Sequence, residues 1–141
     1  MRRRKPQEII ENIRVLDFAS EPLIDLKKRV PTFPENCLHK DDFFTHEGQY
    51  EIIIEQTLFC AIDPSLRADY VQTIKRLLVP NGKLVGVLFN RDFEGGPPFG
   101  GNKQEYEELF SKEFLSRKME DCYNSIAPRQ GSELFMSIRK D

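Results

Sequence analysis

The chain has no tryptophan, only two histidines and three cysteines, and no glycine ahead of Gly48. Each shortage excludes something. Cys37, Cys60 and Cys122 are odd in number, far apart and without a CxxC spacing, which argues against a disulfide framework and a structural zinc site. His39 and His46 form no metal-ligand pattern, so no metal is expected. The absence of early glycines excludes a glycine-rich turn from the first third of the chain. No apolar run approaches the roughly 20 residues of a membrane helix, and the basic start runs into Gln7, Glu8 and Glu11 rather than a secretory apolar segment. The expected setting is the cytoplasm, with reduced thiols and no membrane partner. A formal net charge of -2 gives no broad basic field for nucleic acid. Arg2, Arg3, Arg4 and Lys5 form a local basic cluster that reads as a solvated terminus, because no aromatic or basic stripe accompanies it.

What is present suffices for a core. The 141 residues suit one domain, spanning 1–141, and 39% hydrophobic residues with eleven phenylalanines supply its interior. Apolar runs and breakers alternate strand with helix. Ile13 to Leu16 reads as a strand ending at Asp17, followed by Ser20 as a possible helix cap and by Leu23, Ile24 and Leu26. Pro31 and Pro34 stop that helix, and a weak strand near Asn36 to Lys40 leads into Asp41, Asp42, Phe43 and Phe44. Tyr50 to Ile54 is a buried strand with a polar end. Asp63 caps the next helix and Pro64 opens it, with Leu66, Tyr70, Val71, Ile74, Leu77 and Leu78 on one face. Pro80-Asn81-Gly82 is expected to end it before a central strand from Leu84 to Phe89. The segment from Glu94 to Gly101 must be a loop; Asn102 with Glu105 resembles a capping box, and strand candidates near 114–120 and 133–138 form an antiparallel closing pair. The expected class is α/β, a mostly parallel sheet with an antiparallel C-terminal pair.

Particular stretches go further. Glu55 to Pro64, Val15-Leu16-Asp17, Asp41-Asp42-Phe43-Phe44, Gly95 to Gly101, and Cys122 to Ile126 with Pro128-Arg129 occur in an order that resembles the thiopurine and thiol S-methyltransferase family. The likeness runs from about Ile13 to the C-terminus. Asp41 stands where the family pattern usually has glycine, in Gly-Asp-Phe-Phe. The resemblance implies a Rossmann-like methyltransferase sheet, with S-adenosylmethionine as cofactor and a small acceptor, sulfur, selenium or halide. The family's first strand, its Gly-rich turn and its upstream tryptophans have no counterpart here, so the domain is expected to be N-terminally incomplete, with that strand missing between the Val15 and Ile54 strands. A non-catalytic remnant or binding module of the family is the alternative.

The resemblance assigns Asp17 to the ribose hydroxyls, Asp41 and Asp42 to the surroundings of adenine, and Phe43 to the purine face. A capping or loop aspartate, an acidic turn and a core phenylalanine are their plainer readings. It brings Glu55 and Gln56 to the methionine end, with Gln56 the stronger choice. Phe99 in the Gly-Gly-Pro-Pro-Phe loop would line an acceptor pocket beneath a partial lid, or simply belong to a structural connection. Arg129 would steer an anionic or soft acceptor, or form a surface ion pair. Cys60 reads as a small hydrophobe. No general base is assigned, since the leaving group of a sulfonium is already activated and alignment is what a protein must add.

Overall fold

The computed structural model describes residues 12–141. The chain divides into two compact units, at His46 and Glu47, and each is described by itself. The cluster Arg2 to Lys5 lies outside the described residues.

The first unit contains β1 (Val15–Asp17), α1 (Ser20–Arg29) and β2 (Leu38–Lys40). The two strands run parallel, Val15 opposite Leu38 and Asp17 opposite Lys40. Parallel pairing needs a crossover, and α1 supplies it. Its cap differs from the expectation. Ala19, not Ser20, occupies the N-cap, and Asp17 Oδ1 accepts the Ala19 N–H at 2.9 Å. Ser20 is the first helical residue, and no side chain caps the start of α1; the Asp17 carboxylate instead closes the turn that leads into it. Leu23 and Phe33 are buried, whereas Ile24 is 51% exposed, so α1 turns only a narrow stripe inward.

The second unit contains β3 (Tyr50–Glu55), α2 (Arg67–Leu77), β4 (Leu78–Phe89), α3 (Lys103–Ser111), β5 (Ser116–Asp121) and β6 (Glu133–Arg139). Their sheet order is β3-β4-β6-β5, parallel for the first pair and antiparallel for the others. The expected closing pair is therefore present. Asp63 does cap, but it caps a short 3-10 turn over Pro64–Leu66, accepting the Ser65 N–H at 2.9 Å before α2 begins. Asn102 caps α3 by accepting the Glu105 N–H at 2.9 Å.

Pro80-Asn81-Gly82 does not separate helix from strand. Helix α2 already ends at Leu77, and the three residues form a bulge within β4, where the partners shift from Tyr50–Leu78 to Ile52–Lys83. Asn81 takes φ +66° there, and its N–H donates to the Lys140 carbonyl at 2.9 Å. Turn-forming residues inside a strand make a bulge when the flanking segments are held by neighbouring strands.

The core of this unit is aromatic. Phe59, Tyr70, Tyr106, Phe110 and Phe114 are all buried, with Phe59 edge-on to Tyr70 at 5.1 Å and to Tyr106 at 5.5 Å. Strand β3 is less covered than a parallel strand ordinarily is. Ile52 and Ile54 are 60% and 81% exposed, and no described strand pairs with the edge of β3 away from β4.

Candidate functional site

Open α/β sheets gather ligands beyond the carboxyl ends of parallel strands. Each unit has a depression at that place. In the first unit it is an open hollow of about 450 Å³ lined by Phe18, Ala19, Ser20 and Glu21 after β1, and by Lys40, Asp41 and Asp42 at the end of β2. In the second it is a narrow cleft of about 10 Å³, bounded by Glu55, Gln56 and Thr57 after β3, by Val87, Leu88 and Phe89 of β4, and by Phe59, Cys60, Arg129 and Glu133.

The parallel register brings Asp17 and Lys40 opposite one another, and the Asp41 N–H donates to the Asp17 carbonyl at 3.1 Å. The ends of both strands are thus joined by backbone. Asp17 adjoins the hollow through Phe18 but is not in its wall. One of its oxygens is engaged by Ala19, and a carboxylate can accept about four hydrogen bonds, leaving capacity for a diol. Asp42 is exposed at the rim, with Oδ1 accepting the Phe44 N–H at 2.9 Å. Phe43 is half-buried and packs edge-on against Phe44 at 5.3 Å, outside the hollow's lining. Lys40, Glu21 and Phe18 also line the hollow, Lys40 as the last residue of β2, Phe18 directly after β1 and Glu21 in the first turn of α1.

Glu55 and Gln56, neighbours in sequence, have different surroundings. Glu55 is 5% exposed, its oxygens accepting the N–H groups of Phe59 at 2.5 Å and Leu58 at 3.3 Å. Burial pushes its carboxyl up, while those N–H groups and the Tyr70 hydroxyl pull it back. It organises the turn that begins at Thr57, whose φ of +67° reverses the chain. Gly86 permits this approach, because a Cβ on it would stand 2.5 Å from the Glu55 carbonyl oxygen. Gln56 is exposed at the cleft.

The loop from Glu94 to Gly101 is tied down at its far end. Phe99 N–H donates to the Cys60 carbonyl at 2.7 Å, the Arg67 guanidinium donates to the Gly100 carbonyl at 2.7 Å, and Gly101 bridges to Arg91. Arg67 itself lies over the Phe59 ring at 4.7 Å. Phe99 is half-buried outside the cleft lining. Arg129 does line the cleft, 3.7 Å from Glu133 and 5.3 Å above the Phe89 ring, so the ion-pair reading and the cleft position hold together. Beside it Cys60 has its thiol pushed up by burial and by Glu55, the opposite of what an activated nucleophile needs. Among the described residues no cluster of three metal-binding side chains exists, and no helix is long and apolar enough to cross a membrane.

An α/β chain with depressions at the ends of parallel strands has the architecture of Rossmann-like methyltransferases. Two solved structures share it: an N-methyltransferase, NodS from Bradyrhizobium japonicum with S-adenosylhomocysteine bound, at TM-score 0.65 and 13% identity over 90% of this chain and 65% of that one; and a Burkholderia thailandensis 1,6-didemethyltoxoflavin-N1-methyltransferase, at TM-score 0.64 and 17% identity over 92% and 61%. The sequence pattern of the thiopurine S-methyltransferase family matches residues 18–138, and the chain belongs to that family. A probable thiol methyltransferase 2 of Arabidopsis thaliana is 35% identical over 84% of this chain and 55% of its own length. A thiocyanate methyltransferase 1 of Brassica oleracea is 28% identical over 91% and 58%. The chain thus spans little more than half the length of these relatives.

Proposed function

We propose that this chain serves methyl transfer from S-adenosylmethionine to a small soft nucleophile, a sulfur, selenium or halide acceptor, in the cytoplasm. Family membership supports the reaction class. The observation that carries the reading is the polar hollow after β1 and β2, with Asp17 beside it and Asp41 and Asp42 in its wall or at its rim. When bound, the cofactor supplies a methyl group on a sulfonium. The protein's own task is to hold and align. Asp17 accepts from the ribose hydroxyls, Asp42 and Asp41 border the adenine, and Phe43 offers its ring to the purine. Gln56 serves the methionine end from the cleft rim, and Glu55 supports it by fixing the turn. Arg129, in the cleft lining, would favour an anionic or polarisable acceptor, while Phe99 would reach an acceptor only if its loop moved.

The residues fit the adenosine half better than the methionine half, because the described residues before Gly48 contain no glycine to bring backbone N–H groups close to a carboxylate. That observation favours the second reading, a binding module or remnant, for the chain taken alone. Calorimetric titration with S-adenosylhomocysteine separates the two. The chain alone should bind weakly, through the adenosine half, whereas a version extended at its N-terminus by the corresponding segment of the Arabidopsis relative should bind well. In the extended chain Asp17→Ala should cost about 1.5–3 kcal/mol, the worth of hydrogen bonds to a charged group. Unchanged affinity in Asp17→Ala would remove the ribose assignment, and equally tight binding by both chains would remove the account of the methionine half.

A further inference from the structure

We propose that Asp41 and His46 form a clamp that fixes the acidic turn at the adenine end of the hollow, so that Asp41 is a positioning residue acting through Asp42. The proposal rests on the adenosine reading above. Its starting point is the Asp41 carboxylate, which is bonded at both oxygens. Oδ1 accepts the Asp42 N–H at 2.8 Å, and Oδ2 lies 3.0 Å from His46 Nδ1. The hydrogen bond from His46, followed by that from Asp42, holds the Asp41 carboxyl below its usual range. An ionised carboxylate only accepts, so His46 Nδ1 carries the proton and donates.

The two partners are unequal. Asp41 has a side chain 44% exposed, whereas that of His46 is 8% exposed, its ring edge-on to His39 at 5.4 Å. The imidazole is therefore an anchor already fixed by packing, and the bond immobilises only the short aspartate. That difference separates it from an ordinary surface ion pair, where two long side chains must be ordered together. Between the anchor points lies the acidic turn. The Asp42 carbonyl accepts the N–H groups of His46 at 2.9 Å and Thr45 at 3.2 Å, and Asp42 Oδ1 accepts from Phe44. The Asp41 N–H, in turn, hangs on the Asp17 carbonyl. The turn is closed at both ends, with Asp42 held at the rim of the hollow that Lys40, Asp41 and Ser20 help to line. Fixing it before a ligand arrives removes an ordering cost from binding, which appears as affinity.

The test is a heteronuclear NMR titration of the full chain with methylthioadenosine, the adenosine half without the amino-acid tail. In the parent chain the amides of Ala19, Asp42 and Phe44 should shift. Asp41→Gly, which removes the carboxylate at a partly exposed position, should weaken the nucleoside about tenfold and speed amide exchange at Thr45 and His46. His46→Leu should do the same. His46→Asn, whose amide N–H₂ stands near the place of Nδ1–H, should bind within about threefold of the parent. This rescue is what a merely structural role would not give. Asp41→Gly binding as tightly as the parent overturns the clamp alone, whereas no shifts in the parent overturn the adenosine reading and the clamp with it.

Discussion

Residues 12–46 and residues 47–141 keep their shapes by different means. The first unit buries Leu23, Phe33, Cys37 and His46, and otherwise relies on short-range polar bonds such as Asp17 to Ala19 and Asp41 to His46. The second buries five aromatic rings joined through Phe59 and Phe110, beside a four-stranded sheet. Polar capacity at the strand ends and apolar bulk in the interior are thus concentrated in different units. Hydrophobic burial scales with area, while a single hydrogen bond adds only about 0.5–1.5 kcal/mol net. Truncations should therefore hurt the second unit most, and ligand contacts should be lost most readily from the first.

The largest effect tests that contrast directly. Phe110 is fully buried, with ring centroids 6.4 Å from Phe114 and 6.5 Å from both Phe59 and Tyr70. Phe110→Ala should cost about 3–5 kcal/mol of stability in urea unfolding followed by near-ultraviolet dichroism. A loss under about 1 kcal/mol would mean that the aromatic cluster is not what holds residues 47–141 together. Leu23→Ala should cost less, about 2 kcal/mol, because the thin interior around α1 can settle into the space. It should speed amide exchange across α1 and leave β4 and β6 unchanged. Equal acceleration in both units would show that they unfold as one. Smaller again is Tyr106→Phe. The hydroxyl donates to the Phe89 carbonyl at 2.6 Å, and burial pushes its pKa up to about 12, so it remains a donor at neutral pH. Its removal should cost about 1 kcal/mol, with Phe89 losing its partner.

Much of the fold was legible because it rests on period and punctuation. Of the expected stripe, Tyr70, Val71, Ile74 and Leu77 are buried on α2, whereas Leu66 precedes the helix, 38% exposed, and Leu78 opens β4; Asn102 with Glu105 marks the start of α3. Two misplacements share a cause. Ser20 and Pro80-Asn81-Gly82 carry strong local preferences, yet Asp17 closes the turn that leads into the helix and neighbouring strands hold the Asn81 turn inside β4. Local preference lost to non-local bonding in both places. At the candidate site, strand-end logic located Asp17, Asp42 and Gln56, but residue type alone could not distinguish Gln56 at the cleft rim from Glu55 in the interior. The Asp41–His46 bond was illegible for a similar reason, since five residues of an irregular turn set no fixed geometry between side chains.

Glu55 allows the smallest and most selective test, a change in slope rather than in level. Its carboxyl is raised above 4.5, burial being the largest cause, so the folded state holds a proton that the unfolded chain has already released. In that window the folded form binds more protons than the unfolded form, and stability must fall as pH rises. The contribution is fully present below the unfolded value near 4.5 and lost once the pH has passed the folded value. Glu55→Gln keeps a carbonyl to accept from Phe59 while removing the titration. The variant should therefore lack the parent's decline across this window, as read from urea midpoints at successive pH values, although its amide nitrogen cannot accept from Leu58. If the decline persists unchanged in the glutamine variant, Glu55 is not its source, and burial of that carboxyl does not set the pH dependence of this unit.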